Sequence, residues 1–168
     1  MSKISDTFKN IMEQVKYITE LNRQLASGYH YMGLEVYQNI HESFYMQGIM
    51  ANLWLTNYYI DKYKEMPSEV SVDIESIIPP CWYDHKVSDV PCGIRKKSVS
   101  NFMSLYIEKL KEAHKLYKEE YDNLLSLGEI NTACKIYELV SDAEENIHNY
   151  ELHFAKCKAL DFDPMWVS

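Results

Sequence analysis

Residues 133–157 read ACKIYELVSDAEENIHNYELHFAKC. Within them Ala133, Ile136, Val140, Ala143, Ile147, Tyr150, Phe154 and Cys157 recur at steps of three and four. That spacing places all of them on one side of an α-helix. Glu138, Asp142, Glu144, Glu145, His148, Asn149, Glu151, His153 and Lys156 fill the rest of the surface and favour water. One helix cannot cover its own apolar stripe, so this one requires partner helices.

The remaining chain supplies them. Phe8, Ile11, Val15, Ile18, Leu25, Tyr29, Met32, Val36 and Ile40 keep the same step and predict helix over 4–41. Asn22 interrupts that seam, and Gly28 weakens it by about 1 kcal/mol relative to alanine. A change of direction near Leu21 would make 1–20 a lead-in helix, with His41-Glu42-Ser43 as the following turn. A second helix over 43–66 has the seam Met46, Ile49, Met50, Leu53, Asn57, Ile60 and Tyr63, and stops before Pro67. Trp54, Tyr58 and Tyr59 widen its apolar face, for a bundle flank or a subunit interface. The third helix, over 99–127, starts at Ser98 or Ser100 and carries Phe102, Leu105, Tyr106, Leu110, Ala113, Leu116, Tyr117, Tyr121 and Leu124. Gly128 ends it, and the fourth helix covers 131–160. Asp161-Phe162-Asp163-Pro164 closes the fourth, leaving 161–168 as a tail.

Between the second and third helices, 67–97 holds Pro67, Pro79, Pro80 and Pro91 and has no periodicity. Irregular connections longer than about 15 residues are uncommon in compact domains. A crossover running the length of a bundle needs such a span, and lets the third helix lie parallel to the second. The expected fold is one all-α domain, a four-helix bundle of two helical hairpins joined by a long crossover loop.

The 168 residues suit a single domain with a sizeable core. The five glycines leave little material for the turns of a many-stranded fold. A formal net charge of -8 argues against nucleic acid or an anionic membrane as partner. No apolar run approaches the roughly 18 residues of a membrane span, and Met1–Asp6 lacks the apolar core of a secretory signal. The expected location is therefore the cytoplasm. Cys81, Cys92, Cys134 and Cys157 show no CxxC spacing. Cys157 belongs to the apolar stripe. Cys81 and Cys92 flank Asp84 and His85, where a local metal clip, a disulfide or two separate thiols are the open readings.

Leu21-Asn22-Arg23-Gln24-Leu25, followed by Tyr29 and Tyr31, resembles the opening of the first ferritin helix. Gly48-Ile49 behind Met46 is similar to the start of that family's second helix. Gly128 to Phe154, with Leu139-Val140-Ser141-Asp142 and Glu144-Glu145, resembles its final turn and fourth helix. The resemblance extends from Leu21 to Leu160 and implies the ferritin-like bundle. It also implies iron as the metal to consider, because ferritins oxidise Fe²⁺ at a di-iron centre of inward carboxylates and a Glu-x-x-His.

Carried over position by position, that ligand set is not reproduced. The first-helix glutamate falls at Gly28, the third-helix one at or beside Lys109, and the fourth-helix pair on Ala143 and Asn146. The Glu-x-x-His falls on Asp61 and Lys64, or on Ile60 and Tyr63 with a one-residue shift. Glu145 and His148 make the chain's own Glu-x-x-His, on the polar side of the fourth helix. A mini-ferritin of the Dps type uses histidines of the first helix and an Asp-x-x-x-Glu across a dimer interface. His30, His41, Asp61 and Glu65 have the matching residue types. The first expectation is thus a catalytically degenerate ferritin-like subunit, forming a homo-oligomer or co-assembling with an active ferritin. Any iron would be bound weakly, by acidic residues such as Asp142, Glu144 and Glu145, with Glu145 and His148 as the separate Glu-x-x-His candidates. The alternatives are a Dps-type iron-oxidising site, and an interaction protein on the same fold that uses its tyrosines and tryptophans.

Overall fold

The computed structural model describes Ser2–Phe162. It consists of α1 (Ser2–Tyr31), α2 (Glu35–Tyr63), α3 (Cys92–Ser126) and α4 (Ile130–Ala159), with short 3-10 turns at Pro80–Asp84 and Val87–Asp89. Among the described residues there is no strand, and no helix is long and apolar enough to cross a membrane.

The stripe on α4 behaves as its spacing requires. Ala133, Ile136, Val140, Ala143, Tyr150 and Cys157 are buried, and Ile147 and Phe154 are half-buried. Gly128 closes α3 with φ +77, a backbone region that costs a glycine nothing. Its N–H donates to the Leu125 carbonyl (3.0 Å) and the Glu129 N–H to the Leu124 carbonyl (2.9 Å), so the freed helix-end acceptors stay bonded.

The same device ends α1, and it corrects the expected turn. Gly33 has φ +75, its N–H donates to the His30 carbonyl (3.0 Å), and the Leu34 N–H donates to that of Tyr29 (2.9 Å). The chain therefore reverses at Met32–Leu34 and not at His41-Glu42-Ser43. Met32, Val36 and Ile40 keep helical phase across the reversal, so periodicity alone reads straight through it. There is no break at Leu21: 1–20 is no separate lead-in, and Leu21–Leu25 lies in the second half of a continuous α1.

Helix α2 is also rotated from expectation. Tyr37, His41, Leu55 and Tyr59 face inward, whereas Met46, Ile49, Met50 and Leu53 are 40–56% exposed. The inward face is interrupted by His41 and by Gly48, which sits in tight approach to Thr19 of α1. Helix α3 starts at Cys92, with Pro91 at its N-cap at φ -62, so 92–97 is helical and neither Ser98 nor Ser100 caps it. Of the expected tail, only Asp161 and Phe162 are described; residues 163–168 lie outside the described residues.

Contacts fix the helix directions. Phe8 of α1 meets Tyr59 of α2 (ring centroids 4.9 Å) and Asn22 meets His41, so α1 and α2 are antiparallel. Tyr29 packs on Phe102 (5.6 Å) and Asn10 donates to Glu120 (3.3 Å), which makes α3 antiparallel to α1. His114 to Glu144 (2.9 Å) and Lys111 to Glu151 (2.7 Å) join α3 to an antiparallel α4. Residues 64–91 lie against α1: Lys16 Nζ donates to the Val70 carbonyl (2.6 Å) and the Ile77 N–H to Gln24 Oε1 (2.8 Å). Near the end of α1, buried Trp82 stacks on Tyr31 at 4.6 Å. Gly28, the position matched to a ferritin glutamate, is packed beneath the Phe102 ring, where a Cβ would come within 2.6 Å of it.

Candidate functional site

Helices α2 and α4 meet through long side chains, and this seam contains the chain's main polar interior. Its rungs are Tyr37 Oη with Cys157 Sγ (2.9 Å), His41 Nε2 with Tyr150 Oη (2.8 Å), and Tyr58 Oη and Tyr63 Oη with Thr132 Oγ1 (3.1 and 2.9 Å). Between the second and third rungs small residues replace large ones. Gly48 and Ala51 on α2 face Ala143 on α4, and a cavity of about 110 Å³ opens there. Its floor is Val15, Ile18, Leu110 and Leu139 with the rings of Phe44, Tyr106 and Tyr117; its polar lining is Thr19, Asn22, Gln47, Asp142 and Asn146.

Behind Asn22, Phe44 and Tyr106 of this lining lies His41, which is wholly buried. Its Nδ1 lies 2.8 Å from Asn22 Oδ1, while Asn22 Nδ2 donates to the Ile18 carbonyl at 2.9 Å. A carbonyl only accepts, so the Asn22 amide is oriented with its oxygen toward the histidine. Nδ1 must then carry the proton, and Nε2 accepts from the Tyr150 hydroxyl. The chain of bonds from Ile18 to Tyr150 is complete with His41 neutral. Four aromatic rings enclose the imidazole: Tyr29 stacks on it at 5.3 Å, and Phe44, Tyr106 and Tyr150 meet it edge-on at 5.9, 4.8 and 5.6 Å. Burial lowers the His41 pKa to about 3. Burial also pushes the Tyr150 phenol well above its ordinary value, and the neighbouring Tyr29 hydroxyl adds to this.

The residues anticipated as metal ligands are dispersed. His30 is exposed at the end of α1, with Nδ1 2.9 Å from Gln38 Oε1. His41 uses both ring nitrogens inside the network. Asp61 and Glu65 are exposed, and Asp61 lies about 30 Å along the helix axis from His41. Asp142 lines the cleft, its carboxyl raised above the usual range by burial and then by Glu138 and Glu145. Glu145 and His148 are exposed. Among the described residues no group of three or more His, Cys, Asp or Glu side chains is placed to hold a metal ion. Cys81 is exposed, while the side chain of Cys92 lies outside the described residues.

Two irons held together need several hard oxygen donors converging on one point. The cleft offers one carboxylate, Asp142, with the amides of Asn22, Gln47 and Asn146 and phenols kept protonated by burial. Lys109 instead pairs with Glu112 at 3.2 Å and lies over the Tyr17 ring. These residues do not fit a di-iron centre. Periodicity missed the network because it treated Asn22 as a fault in a seam and His41 as part of a turn. The small residues Gly48, Ala51 and Ala143 were the available signal for the cleft. No family model, curated protein or solved structure matches this chain.

Proposed function

We propose that this chain is a ferritin-like subunit that builds an assembly and does not itself oxidise iron. The segment 64–91 acts in this reading as the bundle crossover. Its contacts along α1, together with the parallel course of α2 and α3 that the pairings imply, support that topology. The observation that carries the functional part is what fills the interior. Asn22, His41 and Tyr150 form a neutral closed network, beside a cleft whose only carboxylate among the described residues is Asp142. Its partners are copies of itself or an active ferritin subunit, and the setting is the cytoplasm. Iron is at most held weakly, at outward groups such as Asp142, Glu145 and His148.

Size-exclusion chromatography with light scattering, metal analysis and an aerobic Fe²⁺ oxidation assay test this together. The expected result is a multi-subunit species with no oxidation above the protein-free rate. Rapid, saturable oxidation lost in Asp61→Ala or Glu65→Ala would overturn the reading in favour of a Dps-type site. A monomer free of iron would favour an interaction protein on this fold.

A further inference from the structure

The outward face of α2 is apolar, and nothing among the described residues covers it. Met46, Ile49, Met50 and Leu53 follow helical spacing and are 56%, 40%, 56% and 52% exposed. From Ser43 to Ile60 there is no charged residue or histidine. Isolated exposed apolar side chains are ordinary, but a contiguous stripe marks an interaction surface.

The order of residues on this stripe points to its occupant. Positions equidistant from the midpoint between Ile49 and Met50 are compatible with one another: Ile49 with Met50, Met46 with Leu53, Glu42 with Asn57, and Glu35 with Lys64. The flanking positions Tyr45 and Trp54 are both half-buried aromatics. A twofold contact brings residue i to residue j of the partner and j to i, so an antiparallel pair of α2 helices centred there sets apolar on apolar and Glu35 opposite Lys64. A parallel pair would set Glu35 on Glu35 and Glu42 on Glu42, in a chain that already carries a net charge of -8. A stable interface buries about 800 Å² per partner, more than four side chains supply, so the pairing extends to Tyr45 and Trp54.

We propose that α2 docks on α2 of a second copy of this chain, antiparallel, about a twofold axis passing between Ile49 and Met50. This rests on the assembly reading only in requiring a second copy, and it names the surface that makes the first contact.

Light scattering on Met46→Lys, Leu53→Glu and the double variant tests it, with circular dichroism to verify that helix content is unchanged. Each single change sets a charge on an apolar partner and should abolish the α2–α2 contact at concentrations where the native chain is associated. The double variant sets lysine against glutamate twice, once on each side of the axis, and should restore association. Native protein that assembles while both single variants assemble equally well overturns this interface and leaves the assembly reading standing. Single variants that dissociate without rescue in the double overturn the antiparallel register. A native chain that stays monomeric overturns both.

Discussion

His41 should make the chain unstable in acid by a calculable amount. The folded protein holds the imidazole neutral down to about pH 3, whereas in the unfolded chain it titrates near 6.5. Between those values the unfolded state binds a proton that the folded state refuses, so stability rises with pH across the window. It is fully present above 6.5 and is lost as pH falls toward the folded value. Each unit within the window is worth about 1.4 kcal/mol, so the fall from about pH 7 to about pH 4.5 removes about 2.5 kcal/mol. Many carboxylates titrate in the same range, and His41→Gln separates their contribution from that of the histidine. Glutamine can both accept and donate but does not titrate, so other groups cancel between the two proteins. Urea unfolding at the two pH values should show the native chain losing about 2.5 kcal/mol more than the variant. Equal losses would refute the argument. So would an NMR titration of the native protein in which the His41 ring protonates near its ordinary value.

Gly48→Ala should destabilise the chain although alanine is the better helix former by about 1 kcal/mol. The added methyl runs into Thr19, whose hydroxyl is held to the Val15 carbonyl at 2.6 Å, and overpacking of this kind costs about 1–3 kcal/mol. In a Thr19→Ala background only the contact with the Cβ of residue 19, at 3.0 Å, remains, and the same change should cost less; melts of the four proteins showing no such relief count against the close approach of α1 and α2. Trp82→Ala should cost about 3–5 kcal/mol and open 64–91 to limited proteolysis, because Trp82 is buried against Tyr31 and Phe102. A segment left uncut under conditions where the native chain is also uncut would show that other contacts hold it.

What could be read in advance depended on whether a helix had one apolar face or two. Helix α4 has one, so Ala133 to Cys157 identified its buried side directly. Helix α2 has two, and the outward one is the more regular; the inward one is interrupted by His41 and Gly48, which belong there for reasons of hydrogen bonding and close approach. The end of α1 was hidden because the step from Met32 to Val36 stays in phase through a reversal that only the positive φ of Gly33 reveals. The early start of α3 was hidden because Pro91 looked like part of an irregular stretch and serves as its first cap. The interior network was the least legible. It joins Asn22, His41 and Tyr150, which are remote in sequence and unremarkable in any local pattern.

The attachment of 64–91 to α1 bears on how the chain assembles itself. Each helical hairpin closes through contacts near in sequence, which form quickly. Bringing one hairpin onto the other is the nonlocal step, and the connecting segment makes it intramolecular. Chain entropy alone makes such a tether cheap to lengthen, by about 0.6 kcal/mol for each doubling. This one is not a free tether: Val70, Ile77 and Trp82 fasten it to Lys16, Gln24 and Tyr31 of the helix that also carries Asn22. Residues inserted between fastenings should slow the docking of hairpins very little, whereas loss of a fastening lets the second hairpin search a larger volume before His41 meets Tyr150.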